Sequence, residues 1–211
     1  MHFSECCLSG YAGVEFDSFE GFDWPTLIHG TLEIQQLARE LAVWVVVGSS
    51  HRLTGTEKPH NCMYIIDDSG AIVDRYDKLF AVGSTSEDDS DLAHYSPGSH
   101  FSVFEVKGVR CGVLICHDFR YDELYREYLR RGVQLMLHSY HNGHSKTDVV
   151  GAGCTTFARD YEDRNSYGGE CSSRLRGCCS NQRVLDKTML LLLACASILV
   201  GIVVSTMQAY A

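Results

Sequence analysis

At 211 residues the chain has material for one domain with a core of its own. A net charge of −9, with no basic stripe in the sequence, argues against binding to a phosphate backbone. The 10 cysteines are irregularly spaced and Met1-His2-Phe3-Ser4-Glu5 has neither the basic start nor the apolar centre of a secretion signal, so Cys111 and Cys116 are read as reduced cytosolic thiols and not as half-cystines.

Residues 3–11 read as a strand end running into a glycine-bearing loop, with Glu5 at that end. Trp24-Pro25 marks a helix start, because proline suits the first turn, and residues 31–41 space Leu32, Ile34, Leu37, Ala38 and Leu41 as an amphipathic helix. Residues 43–47 are a continuous apolar strand. Residues 62–66 and 71–76 are strands joined by the hairpin turn Asp67-Asp68-Ser69-Gly70, and Lys78 lies immediately past the second of them. Residues 84–91 are polar and acidic, hence a loop, which Tyr95-Ser96-Pro97-Gly98 closes. Residues 101–106 and 109–115 form a further hairpin around Lys107-Gly108.

The second strand of that hairpin stops at Cys116. Residues 121–131 then have helical spacing, with Tyr121, Leu124, Tyr125, Tyr128 and Leu129 on one face, and Gly132 stands where a helix C-cap glycine belongs. A second apolar strand follows at 133–137. Strand, tight turn, helix, strand would hold the Cys116 thiol at the carboxyl edge of a sheet, near backbone amides that favour a thiolate nucleophile. A buried structural cysteine is the other reading of this stretch taken alone. Strands alternating with helices, some paired as hairpins, indicate a layered α/β domain with a mixed sheet. Glu5, Lys78 and Cys116 all fall at strand ends, where ligands gather in such sheets.

His138, His141 and His144 recur every third residue, but no cysteine or acidic partner pattern accompanies them and no metal site is expected. Residues 144–187 carry glycine, serine, cysteine and charge without a sustained period, and a helix turn at 157–161 is the one local signal. No charge follows Lys187, and residues 188–207 are long enough to cross about 30 Å of hydrocarbon. A buried core helix is one reading, but the segment lacks a polar edge, which favours a C-terminal membrane anchor. Arg183 and Lys187 precede it, so the catalytic part would face the cytosol.

Three stretches, in order, resemble the motifs of the nitrilase (carbon-nitrogen hydrolase) superfamily. Ser4-Glu5 through Gly10-Tyr11 resembles the motif of its general-base glutamate, and Arg75-Tyr76-Asp77-Lys78-Leu79-Phe80 that of its lysine. Cys111-Gly112 through Ile115-Cys116-His117-Asp118-Phe119-Arg120-Tyr121-Asp122-Glu123-Leu124 resembles the nucleophile motif. The resemblance covers about residues 3–143 and implies an α/β fold, the nitrilase-like α-β-β-α sandwich with mixed sheets, incomplete in this chain. The strand and helix that precede the glutamate motif in the family are missing, and the C-terminal part diverges. The organisation expected is a partial carbon-nitrogen hydrolase domain at 1–143, an irregular divergent segment at 144–187 and a hydrophobic C-terminal helix at 188–207.

The resemblance also implies a thiol-dependent hydrolase of a non-peptide carbon–nitrogen bond in a small amide, carbamoyl compound or nitrile. Cys116 would carry the acyl group, Glu5 would act as base, and Lys78 with the backbone N–H of His117 would stabilise the oxyanion. Asp91, counted back from Pro97-Gly98, would be a second carboxylate at the site, with Glu87 its rival; Arg120 and Glu123 would brace the elbow helix. Tyr11 and Asn142 are candidates for lining the pocket, with core packing and turn formation as equal readings. No cofactor and no metal are implied. The partners expected are the small-molecule substrate and a second copy of the chain, with no nucleic acid, and a membrane through 188–207; the location is cytoplasmic, tail-anchored with the catalytic part in the cytosol. A different class stays open: an inactive nitrilase-like remnant acting as a binding or membrane-attached protein.

Overall fold

The computed structural model describes residues 1–83 and 91–141 with their side chains, and residues 142 and 151–158 through their backbone. Helix α1 (Trp24–Leu41) begins at Asp23, whose Oδ1 accepts the Thr26 N–H at 3.1 Å, with proline in the first turn. Its inward stripe differs from the expected one. Leu27, Thr31 and Ala38 are buried, whereas Leu32 and Leu41 are 55% and 54% exposed. Thr31 can turn inward because its hydroxyl donates to the Leu27 carbonyl at 2.9 Å, so the buried stripe runs through a residue that hydropathy counts as polar.

Strands β1 (Val45–His51), β2 (His60–Ile66) and β3 (Ile72–Asp77) form an antiparallel sheet in that order. The β2–β3 turn is built as its residues suggest: Asp67 Oδ1 accepts the backbone N–H groups of Ser69 and Ala71, each at 2.9 Å. Arg39 of α1 donates from Nε to the Ser69 carbonyl at 2.8 Å and so ties the helix to this sheet. After the short helix α2 (Asp91–His94), strands β4 (Val103–Val106), β5 (Val109–Ile115), β6 (Leu135–Asn142) and β7 (Gly151–Ala158) make a second sheet in that order. Its β5–β6 pair is parallel and the others antiparallel, so this sheet is mixed. Between β5 and β6 the chain passes through a 3-10 turn (Cys116–Arg120) and helix α3 (Asp122–Arg130).

The two sheets share one core: Met63, Ile65 and Tyr76 from the first cluster with Phe104, Val113 and Ile115 from the second. Helix α3 covers the other face of β5, which is why Val113, Leu114 and Ile115 are all fully buried although they alternate in direction. Tyr128 of α3 donates its O–H to the Val113 carbonyl at 2.7 Å, and its ring lies so close to β5 that a Cβ on Gly112 would stand 2.7 Å from Cδ1. Each such buried side chain contributes roughly 1.5–3 kcal/mol.

Strand β7 pairs with β6 from Leu135↔Ala158 to Asn142↔Gly151, within a stretch expected to be irregular, and Phe157 and Ala158 are extended where a helix turn was the local signal. Gly-Ala-Gly-Cys-Thr-Thr-Phe-Ala carries little alternation of polarity, and the unpaired edge of β6 supplies what the residues do not specify. The segment 188–207 lies outside the described residues, and among the described residues no helix is long and apolar enough to cross a membrane.

Candidate active site

Glu5 reaches the interior because its segment is hung between the two sheets. The Phe3 N–H donates to the Val46 carbonyl of β1 at 2.9 Å, and Ser139 of β6 donates its hydroxyl to the Phe3 carbonyl at 2.8 Å. Farther on, the Leu8 N–H donates to the Gly48 carbonyl at 3.0 Å. Gly48 is required there: a Cβ would run into the Ser4 carbonyl oxygen and stand 2.6 Å from the Cys6 nitrogen. Cys6, just after the glutamate, takes a left-handed φ of 51° and turns the chain toward Gly10.

Lys78 follows β3 directly, and its backbone N–H extends the β2–β3 pairing to the Asn61 carbonyl at 2.9 Å. Its ammonium is buried and all three of its N–H groups are engaged: by Glu5 Oε1 at 2.9 Å, Asp91 Oδ2 at 2.7 Å and the Tyr11 hydroxyl at 3.1 Å. Burial alone would pull the lysine down, but Glu5 and then Asp91 outweigh it and hold the ammonium above its ordinary range. Tyr11 donates its own O–H to Asp91 Oδ1 at 2.6 Å, and burial followed by the charges of Glu5 and Asp91 keeps this phenol un-ionised. Asp91 is locked by the Val82 N–H at 2.8 Å. The rival carboxylate Glu87 lies outside the described residues.

Cys116 opens the 3-10 turn with a φ of 43°, a left-handed value that a non-glycine residue holds only when its surroundings impose it. Its thiol is half-buried, and Glu5 lies near enough to act on its ionisation. Burial, and then the Glu5 charge, push the thiol up to about 12 against the pull of Lys78. The amides of the turn were expected to favour a thiolate; burial, and after it the nearby Glu5 carboxylate, outweigh them, and the resting group is S–H. His117 is the next residue of the turn.

Bonds to the elbow come from Asp118 and from β6. Arg120 and Glu123 are exposed. Asp118, fully buried, accepts the Phe80 N–H at 2.8 Å, the Tyr76 O–H at 2.8 Å and the Ile115 N–H at 3.2 Å, clasping the turn that opens at Cys116 to the Lys78 segment of the other sheet. Burial pushes its carboxyl up to about 6 although these three donors hold it down. From β6, His138 donates from Nε2 to the Cys116 carbonyl at 3.1 Å, and the His141 backbone N–H donates to Glu5 Oε2 at 2.8 Å. These histidines thus serve the elbow and the carboxylate; His144, like the side chain of Asn142, lies outside the description. Asp118→Ala should leave three buried donors without their acceptor and cost about 3 kcal/mol, lowering Tm by about 6–12 °C in a domain of this size. Thermal unfolding followed by circular dichroism measures this, and a Tm within about 2 °C of wild type would remove the clasp.

The structure therefore gathers the side chains of Glu5, Lys78 and Asp91 with that of Tyr11, a pocket-lining candidate of the sequence, beside the half-buried Cys116, adds Asn61 to them and sets Asp118 behind the turn. Asp118 stood inside the nucleophile motif, where its place two residues after the cysteine was the available signal. Asn61 carried no sequence signal, because its partner is 56 positions away.

An α/β sandwich that presents a cysteine on a strained elbow to a buried carboxylate–ammonium pair describes a class of thiol-bearing folds. The sequence profile of the carbon-nitrogen hydrolase family matches residues 1–152, and the chain belongs to that family. It is 27% identical over 113 residues to a deaminated glutathione amidase of Yersinia enterocolitica, covering 49% of this chain and 38% of that protein. It is 30% identical over 113 residues to an omega-amidase NIT2 of Xenopus tropicalis, covering 51% of this chain and 40% of that protein. Among solved structures it resembles a mutant amidase from Nesterenkonia sp. AN1 bearing the acetamide moiety of fluoroacetamide on its active-site cysteine, with a TM-score of 0.58 and 15% identity over 74% of this chain and 68% of that one. That likeness establishes the nitrilase fold.

Proposed function

We propose that this chain is a thiol amidohydrolase acting on a small linear amide, carbamoyl compound or nitrile, with Cys116 as nucleophile, Glu5 as proton carrier and Lys78 as the charge that meets the oxyanion. The observation that carries this reading is the buried Glu5, bonded to the Lys78 ammonium at 2.9 Å and close enough to Cys116 to act on the ionisation of its thiol. Because the resting group is S–H, its proton passes to Glu5 as the sulfur attacks the carbonyl carbon of an amide or carbamoyl substrate; a nitrile would first give a thioimidate and take up one water before ammonia leaves. The C–N bond then breaks, Glu5 returns the proton to nitrogen, and ammonia leaves a thioester. Water attacks the thioester, gives its proton to Glu5, and the acid and the free thiol are released and restored.

Lys78 has no spare N–H in this state, so it acts on the oxyanion through its charge or by exchanging its longest bond, the one to Tyr11 at 3.1 Å. The backbone N–H of His117 adds the second donor. Asp91 keeps the lysine charged and fixed. Being named amidases, the relatives support the substrate class.

The test is ammonia release from a panel of small amides, carbamoyl compounds and nitriles, together with intact-mass analysis after exposure to fluoroacetamide. Fluoride leaves poorly from a free alkylating agent, so an adduct reports a site that holds the amide against a reactive thiol. The expected result is ammonia from at least one amide and an acetamide adduct on Cys116 ahead of the exposed Cys7. Modification of Cys7 alone, with no ammonia, would overturn the reading.

A further inference from the structure

We infer that Asn61 is a positioning residue that decides which lone pair of Glu5 faces the Cys116 thiol, an inference that rests on the mechanism proposed above. A carboxylate offers about four lone-pair positions. Three of those on Glu5 are filled by N–H donors: Lys78 Nζ at 2.9 Å and Asn61 Nδ2 at 2.8 Å on Oε1, and the His141 backbone at 2.8 Å on Oε2. Oε1 is thereby saturated. The position left for the thiol proton is the second one on Oε2.

The placement of Asn61 is built into the sheet. Its backbone carbonyl accepts the Lys78 N–H, so the two residues extend the β2–β3 ladder on the same rung and their side chains converge on one oxygen. On its other side Asn61 pairs with Ser50 of β1, the strand over which Gly48 lets the Glu5 segment lie. The asparagine is itself 1% exposed, and its Oδ1 has no hydrogen-bond partner among the described residues. Turning the amide over would satisfy nothing, because Oδ1 would then press against the carboxylate. A desolvated acceptor of this kind works against stability. An apolar side chain of similar size would fill the space without it, so packing does not account for an amide here, whereas holding Glu5 does.

With Asn61 removed, Oε1 keeps only Lys78 and Oε2 only the His141 N–H, so the carboxylate loses one of its three anchors and the thiol proton meets a less sharply placed acceptor. Asn61→Leu, which keeps the volume, and Asn61→Ala are therefore expected to lower kcat by about 10- to 100-fold while KM stays within about threefold. Asn61→Leu is expected to keep a Tm equal to or above that of wild type. Labelling of Cys116 by fluoroacetamide, followed by intact mass, should slow in the same proportion as kcat. A structural role predicts instead that activity and Tm fall together in both variants, and a substrate-binding role predicts a raised KM with kcat unchanged; either result, or wild-type rates in both variants, overturns the inference while leaving the thiol mechanism in place. If the wild-type protein releases no ammonia, the labelling ratio decides alone. A wild-type protein that neither hydrolyses nor labels overturns the mechanism and this inference with it.

Discussion

Cys116→Ala is expected to abolish hydrolysis, with a loss of about 10⁴-fold or more, the scale on which removal of a covalent nucleophile acts. The side chain is half-buried at the mouth of the cluster and makes no structural bond that the fold depends on, so stability should change by about 1 kcal/mol or less. The elbow itself survives the substitution. Its left-handed backbone at position 116 is imposed from outside by the Asp118 bond to the Ile115 N–H and the His138 bond to the Cys116 carbonyl. Ammonia release and thermal unfolding are the two readouts, and intact mass after rapid mixing with an amide adds the third: an acyl adduct in wild type and none in the variant. Wild-type turnover in the alanine protein would remove Cys116 from the mechanism.

Glu5→Gln should lower turnover by at least about 10²-fold, the size of a lost proton carrier, because an amide cannot take the proton from a resting S–H. The effect is sharpened by the surroundings. Three N–H donors converge on this side chain, and an amide would have to point its own N–H₂ at one of them. Lys78→Ala should cost as much in rate and more in stability. It leaves Glu5 and Asp91 facing each other without the ammonium that bridges them at 2.9 and 2.7 Å, a buried charge imbalance that destabilises by about 3–5 kcal/mol. Rates should therefore be compared at equal folded fraction. A Glu5→Gln enzyme that turns over at the wild-type rate would refute the proton-carrier role, and a Lys78→Ala protein with unchanged Tm would refute the buried bridge.

The hairpin at Asp67-Asp68-Ser69-Gly70, the apolar strand ending at Ile115, the helix after it and the motif resemblance were legible because each depends on neighbours in the chain. Turn chemistry, periodicity and a glycine cap act over a few residues, and the motifs sit where those signals say a strand ends. That much determined the fold class, the family and the candidate residues Glu5, Lys78, Asp91 and Cys116. What the tertiary structure alone decided spans long separations. Asn61 meets Glu5 across 56 positions and Tyr11 meets Asp91 across 80, through a strand ladder and a loop whose registers no local pattern encodes. The inward stripe of α1 and strand β7 belong with them, since a self-bonded threonine and an open strand edge act only once the parts are assembled. The protonation of Cys116 is the clearest case. Residue type and turn position pointed to a thiolate, but burial and the carboxylate placed against the sulfur reverse that balance, and both exist only in the folded chain.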